Sequence, residues 1–322
     1  MKINCFGDFT IIDDDNKMVQ LCDMKSKKAR SLLRFFIANR GKWISTTMLC
    51  EYYWPSMNEQ YAKMSLQCAV HAIRKLLESK VIIHKEDGYV FDPDFEIEID
   101  AEIFDKLIKE ALITPERDLK KRLLFTALEM YKGDYMQEIL YEDWVLRQRE
   151  YYKEVFITAL LECAKLKIEE SMYDDAIKFA QRALEEDIFN ERACYLLMVA
   201  YWKKGNRTAS MKLFKEFSQR LQRELNVNPS SDLINLHQMI ISNLPEKKII
   251  VVERLSKEID LDEVLSQLKK ILRPTDKVEK LSVDKIAIWL DGMNEKGITS
   301  VLLRVQSLIT SSQLNVYIRN AR

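Results

Sequence analysis

The stretch from Asn58 to Phe91 constrains the fold more than any other part of the sequence. Between Tyr61 and Leu77 the residues Ala62, Leu66, Ala69, Val70, Ile73, Leu76 and Leu77 recur at steps of three and four, on one apolar stripe of a helix. The opposite face carries Lys63, Met64, Gln67, His71, Arg74 and Lys75, and no acid falls between Tyr61 and Glu78. Val81-Ile82-Ile83-His84 and Tyr89-Val90-Phe91 then flank Lys85-Glu86-Asp87-Gly88. Two β-rich runs about a glycine-bearing turn predict a hairpin. A helix with a polar, long-armed outer face followed by a hairpin is the outline of a winged helix: the helix enters the DNA major groove and the wing lies beside it. Any surface helix has a polar face, so the neighbouring residues must decide between the two readings.

Charge supplies the first discriminator. Fifty Lys and Arg balance fifty Asp and Glu, so a footprint for a polyanion has to be local. Between Lys25 and Lys80, eleven basic residues (Lys25, Lys27, Lys28, Arg30, Arg34, Arg40, Lys42, Lys63, Arg74, Lys75, Lys80) meet only Glu51, Glu59 and Glu78. That local excess is what phosphate contact requires. The chain offers little for catalysis. Seven glycines form neither a Walker loop nor a G-x-G-x-x-G run, and no nucleophile–base set stands in a local motif. The three histidines share no ligand spacing with a cysteine, so neither a metal nor a cofactor is expected. Six dispersed cysteines without a C-x-x-C indicate a reducing compartment rather than a disulfide framework. With no apolar run of membrane length and no secretory h-region, the expectation is a cytoplasmic protein that is not an enzyme and has no membrane partner.

The composition, 47% apolar and 31% charged over 322 residues, predicts two or three helix-rich domains. Residues 1–22 read as strands at Lys2–Phe6, Phe9–Ile12 and Met18–Cys22. Lys25–Asn39 reads as a helix striped by Ala29, Leu32, Leu33 and Phe36. Ser45-Thr46 caps a short helix to Tyr53, with Met48, Leu49 and Tyr52 inward, and Trp54-Pro55 stops it. From Asp100 to Leu244 the period is helical, with helices at Ala101–Ala111, Pro115–Tyr131, Glu142–Glu170, Tyr173–Glu186, Glu191–Lys204, Arg207–Leu225 and Ser231–Asn243. Y-D-D-A-I-K-F-A (173–180) and N-R-T-A-S-M-K-L-F (206–214) are offset by about 33 residues, close to the tetratricopeptide period. Pro245-Glu246-Lys247-Lys248 marks a boundary, beyond which the order β-α-β-β-α-β is the ferredoxin-like pattern. The predicted fold is mainly α with α+β ends: a winged helix-turn-helix over 1–98, a tetratricopeptide-like helical array over 99–244 and a βαββαβ module over 245–322.

The motifs F-G-D-F (6–9), K-A-R-S-L-L (28–33), N-R-G-K-W-I-S (39–45), L-C-E-Y-Y-W-P (49–55), H-A-I-R-K-L-L (71–77) and G-Y-V (88–90) resemble the response-regulator-type winged helix, in the version that heads the antibiotic-regulatory-protein (SARP) class of activators. A-L-E-M-Y-K-G-D-Y (127–135), E-D-W (142–144), R-Q-R-E (147–150), D-I-F-N-E-R-A-C-Y-L-L-M (187–198) and L-N-V-N-P-S (225–230) resemble the bacterial transcriptional activator domain of the same class. The resemblance implies a DNA-binding activator that forms homodimers on double-stranded DNA and recruits RNA polymerase. Carried onto this chain, it places Lys63, Met64, Gln67 and His71 at base edges, Arg74 and Lys85 at phosphates, and Trp54 to Asn58 in a loop that touches polymerase. Met64 and Gln67 stand where the family often has arginines.

The last module resembles a degenerate, truncated GGDEF domain, with Ser282-Val283-Asp284-Lys285-Ile286 at the signature position. Both signature glycines and one metal carboxylate are gone, which excludes two-metal phosphoryl chemistry. Arg273-x-x-Asp276 stands where that family keeps its product-inhibition site, so the resemblance implies cyclic di-GMP as an effector gripped by Arg273 and Asp276. In the alternative reading Arg273 interacts with the C-terminus of the preceding helix, Asp276 only starts a turn, and the module dimerises the chain or is purely structural. A further alternative for the whole chain is a helical-repeat protein-interaction scaffold whose winged helix no longer binds DNA.

Overall fold

Capping side chains set where the first helices begin. The Ser26 hydroxyl accepts from Ala29 N, Ser45 from Met48 N and Asn58 from Gln60 N. They start α1 (Lys27–Ala38), α2 (Thr46–Tyr53) and α3 (Glu59–Leu76). The computed structural model describes residues 1–77, 80–242, 248–255, 259–273, 276–290, 295–308 and 314–320. The chain divides into two compact units, Met1–His237 and Gln238–Arg322.

In the first unit β1 (Lys2–Asn4) lies between β2 (Thr10–Ile12) and the later β6 (Glu98–Ile99), antiparallel to one and parallel to the other. The wing is the antiparallel pair β4 (Ile82–Lys85) and β5 (Gly88–Phe91), with β3 (Ile44–Ser45) on the other side of β5. The predicted stripe of α3 is the buried one: Ala62, Leu66, Ala69, Val70 and Ile73 all face the core. That core runs without interruption into the helical array, which consists of α4 (Asp100–Ile113), α5 (Arg117–Met130), α6 (Asp143–Glu169), α7 (Tyr173–Glu186), α8 (Glu191–Lys203), α9 (Arg207–Arg220) and α10 (Ser231–Ser242). Ala176, Ala180, Ala183, Ala193 and Ala200 are fully buried, which lets successive helices stack closely.

Three local expectations are corrected. Met18–Cys22 is no strand: only Met18 bridges back to Ile12, and Leu21–Asp23 closes a 3-10 turn that draws Met24 into the core. A five-residue alternation is too short to separate a strand from such a turn. In α2 the inward residues are Leu49, Cys50 and Tyr53, whereas Met48 and Tyr52 are 40% and 45% exposed. Two helical turns admit several stripes, and here the packing of Tyr53 chooses, its ring lying edge-on to Phe35 at 6.2 Å. Finally, α9 ends at Arg220, and Leu221–Leu225 widen into a π-turn closed by Asn226 in the left-handed region (φ +56°).

The second unit has the predicted element order: β7 (Lys248–Arg254), α11 (Leu261–Ile271), β8 (Lys277–Ser282), β9 (Lys285–Trp289), α12 (Glu295–Leu308) and β10 (Leu314–Asn320). The antiparallel sheet order β10-β7-β9-β8 is the ferredoxin-like arrangement, with Ile250, Val252, Ile286 and Ile288 packed against Leu261, Val264, Leu268, Val301 and Val305. This topology does not by itself assign a GGDEF relationship. Glu78 and the boundary run Pro245-Glu246-Lys247 lie outside the described residues.

Candidate nucleic-acid interface

The α3 helix turns its polar face to solvent, and Lys63, Met64, Gln67 and His71 are all exposed. At 3.6 residues per turn, the line farthest from the buried stripe runs through Gln60, Met64, Cys68, His71 and Lys75. Gln67, Arg74 and Lys63 follow in that order down one flank of this line. Gln60, Cys68 and Lys75 are exposed as well, and the expected site set omitted them. The helical period alone placed Cys68 beside Met64 and His71; its small, weakly polar side chain concealed it in a search for long polar arms.

Lys63 Nζ sits 2.6 Å from Glu59 one turn earlier. That hydrogen bond and charge raise the lysine pKa and lower the glutamate's, with both groups in open water. Arg74 is half-exposed. Its guanidinium donates through Nε (2.9 Å) and Nη2 to the carbonyl of Ile82, so it braces the base of the wing. Lys85 is exposed at the wing's turn.

The loop between α2 and α3 is anchored by its first residue. The Trp54 ring is buried, with the Lys28 ammonium 5.5 Å above it, and Met57 N donates to Trp54 O at 3.1 Å. Pro55, Ser56 and Met57 project outward. Between this loop, the start of α1 and the flank of α3 runs a groove of about 720 Å³, lined among others by Ala29, Trp54, Met57, Tyr61 and Cys68.

The winged helix is fastened to the array at several places. Asp100, the first residue of α4, accepts from Cys5 N (2.7 Å) and Phe6 N (3.1 Å). Arg34 pairs with Glu138 at 2.9 Å, and Met136 N donates to Cys5 O at 2.7 Å. The Phe6 ring packs against Phe104, Tyr131, Tyr135 and Tyr152. None of these contacts covers Gln67 or His71.

In the second unit Arg273 N donates to Asp276 Oδ2 at 3.1 Å, and Asp276 N returns a bond to Arg273 O at 3.0 Å. The aspartate thus closes a turn on the arginine's own backbone. At the signature position Asp284 is paired with Arg254 at 2.7 Å and Lys285 with Glu253 at 3.0 Å. Among the described residues no three His, Cys, Asp or Glu side chains gather in a metal-holding group, and no helix is long and apolar enough to cross a membrane. All six cysteines are free; Cys22 and Cys68 are exposed.

Comparison with known proteins gives this chain relatives among bacterial transcription regulators. Residues 99–241 match the family described as the bacterial transcriptional activator domain. The transcriptional regulator RedD of Streptomyces coelicolor is 22% identical over 236 residues, which cover 70% of this chain and 67% of RedD. The regulatory protein AfsR of Streptomyces griseus is 21% identical over 69% of this chain, which spans only 23% of AfsR. In fold the chain resembles Mycobacterium tuberculosis EmbR, solved in complex with a low-affinity phosphopeptide. The TM-score is 0.65 and the identity 16%, covering 88% of this chain and 76% of that one. Together these likenesses support a transcriptional activator of the SARP type.

Proposed function

We propose that this chain is a sequence-specific DNA-binding transcriptional activator, with α3 seated in the major groove and the wing against the adjoining backbone. One observation carries the reading: the outer line of α3 is open to solvent on the same compact unit that contains the activator-domain match. In this reading Gln67 suits the paired donor and acceptor of adenine, and Met64 suits a thymine methyl. Lys63 and His71 reach the neighbouring base edges, and Lys85 meets phosphate. Arg74 contributes by holding the wing. The projecting loop from Trp54 to Asn58 is the surface offered to RNA polymerase. The test is binding of the full chain to the DNA upstream of its own gene across a salt series. A specific complex whose log affinity falls linearly with log salt is expected. Absence of a specific complex, or one without a salt slope, overturns the reading.

For the second unit the proposal is an effector or dimerising module. The exposed Arg273 fork suits a guanine edge or a phosphate, and cyclic di-GMP is the effector that offers both. An effector joining two copies into a homodimer raises DNA affinity through linkage alone. Calorimetric titration with cyclic di-GMP tests it: heat in the parent protein that is lost in Arg273→Ala is expected. No heat in the parent removes the effector, and equal heats in both proteins remove this site.

A further inference from the structure

Trp43, the residue before β3, is 47% exposed, yet its indole is committed to the wing. Its Nε1 donates to the carbonyl of Lys85 at 3.2 Å. Its ring also stands so close over Gly88 that a β-carbon there would lie 2.6 Å from Cε2, from Nε1 and from the Ile44 carbonyl. Gly88 is therefore a glycine for want of room. The left-handed position of this turn belongs to Glu86, at φ +56°. A second donor reaches the turn from the same corner, Thr46 N to Asp87 O at 2.8 Å, and β3 pairs Ser45 with Gly88. Two carbonyls of the four-residue turn are thus held from outside the hairpin. At the other end of the wing Arg74 holds Ile82. A two-stranded hairpin in water has little stiffness of its own, so these contacts fix where its tip points.

We propose that Trp43 is a positioning residue for DNA binding: by clamping the Lys85 carbonyl and capping Gly88, it aims the Lys85 ammonium at a backbone phosphate. This rests on the DNA-binding reading above. The gain is preorganisation, because a charge already held in place loses less freedom on contact than one on a loose turn. Neither composition nor periodicity marks Trp43 for this role; it follows from the indole's two contacts with the turn.

Phosphate contact is independent of sequence, so a short mixed-sequence duplex serves as the probe. The full chain is titrated across a salt series as the parent and as Trp43→Phe, Trp43→Ala, Lys85→Ala and the double variant Trp43→Ala/Lys85→Ala, each checked for folding by thermal melting. Lys85→Ala is expected to reduce the salt slope by about 0.9 and the affinity roughly three- to tenfold. Trp43→Ala should reproduce most of both losses, and Trp43→Phe, which keeps the ring and loses the donor, should fall between it and the parent. The double variant should lose no more than Lys85→Ala alone, because the two residues act on one contact. Additive losses, or a Trp43→Ala that melts earlier while keeping the full salt slope, overturn the assignment. If Trp43→Ala does not fold, Trp43→Phe decides, and parent-like affinity and slope then overturn it. A parent protein that binds the duplex without any salt slope instead overturns the DNA reading itself.

Discussion

Ser31 in α1 donates its hydroxyl to the carboxylate of Glu142, 111 residues further along the chain, at 2.7 Å to one oxygen and 2.9 Å to the other. The same carboxylate takes the indole N–H of Trp144 at 2.6 Å, and Tyr53 OH lies 3.3 Å from Ser31 Oγ. Glu142 stands just ahead of α6, where the helix dipole favours an anion. One carboxylate therefore ties both leading helices of the winged helix to the longest helix of the array. The two parts meet through matched polar contacts and a shared core, so the orientation of α3 relative to the array is built in.

Glu142→Ala leaves the Ser31 hydroxyl and the Trp144 indole without their charged acceptor in a half-buried joint. The expected cost is about 2 kcal/mol, since bonds to charged groups carry most at such sites. Glu142→Gln, which keeps the shape and one acceptor, should recover part of it. Urea denaturation of the full chain measures both, and an alanine variant as stable as the parent would show that the joint contributes nothing.

Asp100 holds β1 by accepting from the backbone N–H groups of Cys5 and Phe6 and from its own neighbour Ala101. Asp100→Ala strands the Cys5 and Phe6 amides beside a buried core and should cost about 3 kcal/mol. Hydrogen exchange localises the effect: the Cys5 and Phe6 amides should lose protection well ahead of those in α7 and α8.

Glu162 is one pH-sensitive group of the array. Burial alone would raise its pKa, but Lys120 at 2.8 Å and Arg192 at 3.2 Å outweigh it and hold the carboxyl below the usual range. A depressed carboxylate stabilises the fold above its unfolded value of about 4.3 and loses that contribution as pH falls through the lower folded value. Glu162→Gln should therefore be less stable than the parent at pH 7, with the gap closing as pH drops below about 4.3. A gap that stays constant across the acid limb would show that the charge carries no stability.

Base-reading and phosphate contacts separate by their salt dependence. Gln67→Ala should weaken a specific complex by about 1–3 kcal/mol while leaving the salt slope unchanged, because an amide at a base edge displaces no counterion. Equal losses on specific and mixed-sequence DNA would show that Gln67 does not read bases.

Cys68 offers a chemical footprint of the same face. It is exposed on the outer line of α3, while Cys22, the other exposed thiol, lies in the turn Leu21–Asp23. Bound DNA should slow alkylation of Cys68, read by mass spectrometry of the labelled peptides. Equal labelling of Cys68 with and without DNA would place the duplex elsewhere.

Periodicity decided a great deal of this molecule in advance. Apolar residues at steps of three and four are a local property, and they located α3 and the seven helices of the array to within a few residues. The resemblance motifs pointed to the activator domain for the same reason: they are written in adjacent residues. Short elements were less legible, as Met18–Cys22 and the stripe of α2 show, because five to eight residues satisfy more than one pattern.

What the sequence alone determined, then, is which faces are apolar, where basic charge accumulates and which helix is free to present long polar arms. Folding in three dimensions decided the rest. Arg74, which the resemblance sets at a phosphate, also holds the Ile82 carbonyl at the base of the wing, and Trp43 holds the Lys85 carbonyl at its turn. Each outcome depends on a partner distant in the chain or on the far side of a turn: Ile82 for Arg74, Lys85 and Gly88 for Trp43, Glu142 for Ser31. Linear spacing records which side of a helix a residue occupies, but a hydrogen bond is made only where the packed core brings its two ends together.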